Sequence, residues 1–406
     1  MGKFCFFVHQ NELAYFKGVI KVLPKELVDV YVGPTTERID NFDNLSSDIK
    51  NNIGILQDDG YKIYPINPDK LWHYRGIVLS ASFFWGNQTL FNWDGKRKKS
   101  MIGLFHACDG PASTTSLPAS HYICAHKRQA QIYEQNKVSR DTNPELFNSL
   151  MNLPHILRNE YSYSGPYHIA EWAEKRLLPR EQLQSELEEK LQCTFKKNKP
   201  IIAFLQDEFC HPRQVYDALK KLAPHCNLCI KSYSFEDVPG AYLLKDKSMA
   251  PNLLRFAADY ILAGYHSGTL ASSTMLGLCA IPYYTNLIYF RGWRRGTLSK
   301  YTAYCPGYFK NEHVCVDILN LINPPINLMD TESILERFYD KTWWSVYRQK
   351  LSAAQKTIFI DYDIQGAAHK TAKLLLKVFA RGSFGDDAVS VSLRPEYGSL
   401  NNLHKI

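Results

Sequence analysis

Six consecutive residues, Gly264-Tyr265-His266-Ser267-Gly268-Thr269, carry the densest chemistry in the chain. An apolar run at 260–263 leads into them, and a segment of helical character, 268–278, leads out. Such a turn leaves backbone N–H groups unpaired at a helix N-terminus, where the helix dipole favours a phosphate. Gly264 and Gly268 let a ligand approach the main chain. Ser267 and Thr269 can cap the helix and donate to phosphate oxygens, and His266 can donate to a phosphate or bind it as imidazolium. A capped helix without a ligand would use the same residues. Ligands of open α/β sheets, however, sit at the carboxyl ends of strands, where this turn falls.

Two other polar segments also follow apolar runs. His106 comes directly after 101–105 and before a Gly-Pro turn, a position from which it can act as general base for an acceptor hydroxyl, with Asp109 to orient it. Gln206 and Asp207 follow Ile201–Leu205; the amide can bind a donor phosphate or base, and the carboxylate can hold a sugar hydroxyl. Glu160 is a further candidate carboxylate near the end of the first half. Basic residues cluster at 96–99 and at Arg291, Arg294 and Arg295, each suited to an anionic lipid, a lipid-linked diphosphate or a nucleotide. The triplet Asp361-Tyr362-Asp363 lies near the C-terminus before a glycine turn, away from these segments, so metal-independent chemistry is expected and no cofactor. Cys226 and Cys229 form a lone Cys-x-x-Cys with no second pair, which reads as buried thiols.

The elements that must position these groups alternate. Residues 3–10 are a continuous apolar run, as in a parallel strand buried on both faces. A helix over 12–23 follows, with Asn11 as its N-cap and Leu13, Phe16, Ile20 and Leu23 at helical spacing. Strands are expected at Val28–Gly33, 61–66, 76–82, 100–106 and 121–125, with a helix over 45–57. The rhythm then lapses: 161–167 reads as a turn-rich segment and 169–192 as a charged helix. It resumes at Ile201–Leu205 and continues through a helix over 211–223, a strand over 227–232, a helix over 251–258 and a strand at Ala280–Tyr284. Further helices are expected at 331–338 and 343–355, and a last one over 366–379 with Ala368, Thr371, Leu374 and Val378 as its apolar side. Strands separated by helices give βαβ units and a doubly wound sheet.

A chain of 406 residues exceeds the usual single core. The expected division is an N-terminal Rossmann-like acceptor domain over 1–165, a crossing helix over 166–198, a Rossmann-like nucleotide-donor domain over 199–365, a C-terminal helix over 366–382 and a loose tail over 383–406. At 45% hydrophobic residues the chain can offset the entropy of ordering, which excludes general disorder. It contains no apolar run long enough for a transmembrane helix, and no zinc finger, RNA-recognition signature or basic helix stripe that would point to nucleic acid.

Taken in chain order, these pieces resemble the CDP-glycerol glycerophosphotransferase family of teichoic-acid and capsule enzymes, and the wider GT-B capsule transferases. His106-Ala107 stands for the family's His-Gly segment, Ser164-Gly165-Pro166-Tyr167 for its domain crossing and Leu205-Gln206-Asp207 for its polar strand end. Residues 264–268 stand for the nucleotide turn, and Gln365-Gly366-Ala367-Ala368 for the closing segment. One departure matters: where the family has Lys-Pro-His-Pro, this chain reads Ile230-Lys231-Ser232-Tyr233-Ser234, and His266 is the histidine left to meet the donor phosphate. The resemblance implies a GT-B fold, two Rossmann-like doubly wound domains facing a cleft, with a cytidine-nucleotide donor in the C-terminal domain. It implies that His106 serves as base while the 264–269 turn and Arg291 stabilise the departing phosphate. The expected acceptor is a lipid-linked glycan or polyol phosphate of capsule, lipopolysaccharide or teichoic-acid type, at a cytoplasmic location or peripherally on the inner face of the cell membrane. The rival expectations are a sugar-nucleotide epimerase of GT-B fold and a non-catalytic partner in polysaccharide assembly.

Overall fold

The computed structural model describes residues 3–34, 37–80, 100–104, 121–125, 160–170, 178–206, 210–231, 237–244, 251–264, 268–289, 298–302, 325–358, 364 and 366–381. They form two parallel sheets. The first holds β1 (Phe4–His9), β2 (Val28–Gly33), β3 (Lys62–Pro65), β4 (Gly76–Ser80), β5 (Ser100–Leu104), β6 (His121–Cys124) and β7 (Glu160–Tyr163) in the order β3-β2-β1-β4-β5-β6-β7. Alternation along β1 explains its unbroken apolar sequence. Phe4, Phe6 and Val8 join the core under α1 (Leu13–Val22) and α2 (Ser47–Asp58), while Cys5 and Phe7 join a second cluster with Tyr31, Tyr74 and Ile77. Helices and turns thus cover both faces, as parallel strands require.

The second sheet comprises β8 (Ile201–Leu205), β9 (Asn227–Lys231), β10 (Tyr242–Leu243), β11 (Tyr260–Gly264), β12 (Ala280–Tyr284) and β15 (Ile326–Asn327), in the order β10-β9-β8-β11-β12-β15. A hairpin of β13 (Leu287–Tyr289) and β14 (Leu298–Thr302) stands apart from it. The helix α3 (Arg180–Leu191) packs on this unit through Leu183 and Leu187, with Gln184 Nε2 donating to the Ala257 carbonyl at 3.2 Å and Arg180 paired to Asp259. Cys226 and Cys229 are buried free thiols; burial pushes Cys226 up to about 12 and Cys229 well above the ordinary thiol value.

Three local expectations are corrected. Residues 160–163 form β7, the seventh strand, and not part of a turn; it is a short edge strand whose serine and tyrosine alternation hides its pairing with β6. Asn11 does not cap α1. The chain first makes a 3₁₀ turn, Gln10–Glu12, whose opening is capped by His9, with Nδ1 accepting from the Asn11 N–H. The last helix keeps Ala368 and Thr371 of its expected apolar side buried but turns its remaining contacts to the neighbouring stripe. Its inward residues are Ala368, Thr371, Ala372, Leu375 and Phe379, with Leu374 and Val378 on the flank.

That helix, α9 (Ala367–Arg381), comes after α7 (Thr331–Tyr339) and α8 (Lys341–Ile358) and follows the second domain in sequence but packs on the first. Phe379 stacks on Phe4 at 4.6 Å, and Thr371 Oγ1 lies 2.8 Å from Ser164 Oγ in the crossing segment. The two cores also meet at the crossing, where Ile169 and Ala125 belong to the second-domain cluster and Tyr167 and Ala170 to the first.

Near the amino ends of β2 and β4 lies a buried polar network: Tyr74 Oη donates to Asp29 Oδ2 at 2.7 Å, Lys3 Nζ to Oδ1 at 2.9 Å, and Tyr31 and Tyr74 hydroxyls are 3.0 Å apart. Burial holds the Tyr74 phenol protonated far above its usual range, so it stays a donor. Tyr74→Phe removes a hydrogen bond to a buried charge and is expected to cost about 1.5–3 kcal/mol in urea unfolding. A change within error of wild type would mean Lys3 and Tyr31 satisfy Asp29 alone.

Candidate functional site

In each sheet the chain turns back on itself at one pair of strands. β8 is followed outward by β9 on one side and has β11 on the other, so β8 and β11 bracket a topological switch point, the place where open α/β sheets bind ligands. The register Ala263↔Leu205 sets Gly264 beside Gln206 at the carboxyl end. Gln206 is buried, and its N–H donates to the Lys231 carbonyl at 3.2 Å, joining the ends of β8 and β9. The helix α6 (Gly268–Met275) begins four residues beyond Gly264, with Thr269 in its first turn.

Two cations converge here that the motif reading left aside. Arg255, on α5 (Pro251–Ala257), is only 2% exposed, and its Nη1 donates to Ser272 Oγ at 2.8 Å. Ser272 Oγ in turn donates to the Thr269 carbonyl at 3.1 Å, so the guanidinium braces the first turn of α6 from below. Lys231 ends β9; burial lowers its pKa, Arg255 lowers it further, and Asp48 on α2 opposes both. A second helix, α4 (Pro212–Leu222), starts at the same edge. The His211 N–H donates to Thr285 Oγ1 at 3.1 Å, tying the start of α4 to the end of β12. Two helix N-termini and two cations at one strand edge make a positive environment suited to phosphate.

The first sheet has its own switch point between β1 and β4. The His9 N–H donates to Ser80 Oγ at 2.9 Å, joining the two strand ends. Gln10 follows, and Glu12 is only 2% exposed. Asp48, in the first turn of α2, belongs to this carboxyl side of the first sheet, and it acts electrostatically on Lys231 at the carboxyl end of the second. The two carboxyl edges therefore face one another across the cleft.

Of the residues singled out from sequence, Gln206, Gly264, Gly268 and Thr269 are brought to one strand edge. His106, Asp109, Asp207, His266, Ser267 and Arg291 lie outside the described residues. Glu160 opens β7 opposite His121, at the amino edge of the parallel sheet, so its main chain is not brought to the cleft side. The residues missed were Lys231, Arg255 and His211 in the second domain, and His9, Gln10, Glu12 and Ser80 in the first. A polar run such as His9-Gln10-Asn11-Glu12 directly after an apolar strand was the available signal.

Two facing, doubly wound Rossmann-like domains joined by a crossing and clasped by a returning C-terminal helix define the GT-B fold. Solved structures of that architecture are similar to this chain. UDP-GlcNAc 2-epimerase from Neisseria meningitidis aligns with a TM-score of 0.52 and 12% identity, covering 93% of this chain and 100% of its own. The wall teichoic acid polymerase TagF aligns at 0.53 and 10% identity, covering 93% and 89%. A further UDP-N-acetylglucosamine 2-epimerase aligns at 0.50 and 10%, covering 93% and 97%. No family model matches the chain, and no curated protein matches it in sequence. Among the described residues no helix is long and apolar enough to cross a membrane.

Proposed function

We propose that this chain is a GT-B transferase that moves a sugar, a sugar acid or a polyol phosphate from a cytidine-nucleotide donor to a capsule, lipopolysaccharide or teichoic-acid-like acceptor. The observation that carries this reading is the cationic strand edge of the second domain, where Lys231 and the Arg255-braced start of α6 flank Gly264. A nucleotide diphosphate or monophosphate leaving group develops negative charge as its bond to the transferred group breaks. Preorganised N–H groups and a lysine at that position stabilise the charge without reorganising. Arg291 is assigned the same task from outside the turn, and Gln206 and Asp207 the nucleoside or sugar. His106, oriented by Asp109, is the base that takes the acceptor hydroxyl's proton as its oxygen attacks. The groups invoked are all protein side chains and backbone, so the reaction is expected to proceed without a metal. Two of the three named neighbours were solved with nucleotide ligands, the meningococcal epimerase with UDP-GlcNAc and the polymerase with CDPG, which supports a nucleotide as the ligand class here. The cytidine preference and the acceptor, a lipid-linked glycan or polyol phosphate met at the inner membrane face, rest on the motif resemblance.

The test is a thermal-shift series with CMP, CDP, UMP, UDP, GDP and ADP in buffer containing EDTA. A ligand at about 100 times its Kd adds about 2.7 kcal/mol to stability. Cytidine nucleotides are expected to raise the Tm by an amount that disappears in His266→Ala and Ser267→Ala. No response to any nucleotide would remove the transferase reading, and a response to uridine nucleotides alone would remove the cytidine assignment.

A further inference from the structure

The outer face of α9 carries one sign of charge. Exposed along it are His369, Lys370, Lys373 and Lys377, on the side of the helix opposite the core-facing Ala372, Leu375 and Phe379. No carboxylate interrupts them, because Ala367–Arg381 contains neither Asp nor Glu. The elements packed against α9 bring none either: α1 reads LAYFKGVIKV, β5 reads SMIGL, and the 3₁₀ turn of the crossing is Tyr167–Ile169. Asp59, at the end of α2, is paired with Lys21 of α1 at 3.0 Å. Half-buried Leu376 on one shoulder of the cationic face, and Leu374 with Val378 on the other, leave aliphatic surface beside the lysines.

The partner of such a face is anionic. A second copy docked face to face would set these cations against one another, and aliphatic shoulders give a nucleic-acid base no ring to stack on. A bilayer with anionic lipid answers both features, with headgroups for the lysines and an apolar interface for the leucines. The direction of the helix gives the surface a purpose. Thr371 lies beside Ser164, which follows the carboxyl end of β7, while Phe379 covers Phe4 and Gly76, the first residues of β1 and β4. α9 therefore runs against the strands, from the cleft edge of the first sheet to its far edge. We propose that the outer face of α9 docks on a bilayer containing anionic lipid and sets the rim of the cleft against the membrane, where a lipid-linked acceptor lies. Its purpose rests on the transferase reading above, whereas the surface itself stands on the charge and exposure of α9.

Co-sedimentation of the full chain with vesicles of mixed phosphatidylglycerol and phosphatidylcholine, against vesicles of phosphatidylcholine alone, tests it. Wild-type protein is expected to pellet with the anionic vesicles only, and less so as salt is raised. The triple variant Lys370→Gln, Lys373→Gln, Lys377→Gln should bind them about 100-fold more weakly, each lysine near an anionic surface being worth about fivefold. A control triple variant, Lys197→Gln, Lys220→Gln, Lys221→Gln, removes the same charge from exposed positions of the second domain and should bind as wild type does. Both variants are expected to keep the wild-type Tm and response to CMP. No pelleting with anionic vesicles, equal pelleting with phosphatidylcholine alone, undiminished binding in the α9 variant or an equal loss in the control each overturns the proposal. Retention of a DNA duplex in place of the vesicles overturns it too. Vesicle binding through α9 by a protein that answers no nucleotide keeps the surface and removes the transferase reading.

Discussion

Phe379→Ala is expected to destabilise the protein by about 3–5 kcal/mol, the range for removing a fully packed aromatic side chain from a core. The ring is 2% exposed, stacks on Phe4 at 4.6 Å, and lies over Gly76 so closely that a Cβ on that glycine would fall inside it. Its loss has a second consequence, because α9 is the segment that returns from the second domain to cover the first. With the ring gone, the helix retains Leu375, Ala372 and Ala368 against the same face, which bury far less area per residue. Unfolding by urea, followed by far-UV circular dichroism, should show the transition of the first domain moved to lower denaturant. Gly76→Ala approaches the same contact from the opposite side: the added methyl must push the ring out, at about 1–3 kcal/mol. If Phe379→Ala unfolds within about 1 kcal/mol of wild type, α9 does not clasp the first domain as described.

The interdomain clasp shows where reading from sequence stops. Helical spacing in 366–379 was evident, but a helix of this length has several stripes that satisfy 3.6-residue periodicity. The stripe through Leu374 and Val378 and the one through Leu375 and Phe379 are neighbours on the wheel, and only the partner surface chooses between them. The strands announced themselves because they are buried on both faces, which forces unbroken apolar runs such as Phe4–His9 and Ile201–Leu205. β7 did not, since an edge strand of four residues needs only backbone pairing, and Glu160–Tyr163 offers polar and aromatic residues in alternation. At the site, Gly264, Gly268 and Thr269 were legible as small and hydroxyl residues between an apolar run and a helical segment, and the structure ends a strand at Gly264 and begins a helix at Gly268. Arg255 was not legible at all. It sits in an apolar helix, fourteen residues from Thr269, and its role comes from a tertiary contact with Ser272. Lys231 was visible as a polar residue at a strand end, but its place next to the switch point depends on strand order, which sets β9 beside β8 and β8 against β11.

Lys231→Met is expected to separate binding from stability. Lys231 has its pKa lowered from 10.5, first by burial and then by the nearby Arg255 guanidinium, with Asp48 only partly compensating. A lysine whose folded pKa lies below its unfolded value burdens the folded state while both states are charged. Stability then rises as the pH climbs from the folded pKa to the unfolded one, because the unfolded chain binds more protons there. Relative to Lys231→Met, the wild type should therefore be the less stable protein at neutral pH, with the gap closing toward alkaline pH. An anionic ligand inverts the balance. A phosphate between Lys231 and the α6 N-terminus adds an anionic partner to a desolvated cation, and a charge-assisted hydrogen bond of this kind is worth about 1.5–3 kcal/mol, or about 10–100-fold in affinity. Isothermal titration with CDP is thus expected to show that much weaker binding in Lys231→Met, alongside an equal or higher Tm without ligand. Undiminished CDP affinity would place the donor phosphates elsewhere than at the end of β9. A Tm lowered at neutral pH would mean that Asp48 and its neighbours, and not a ligand, are what the lysine serves.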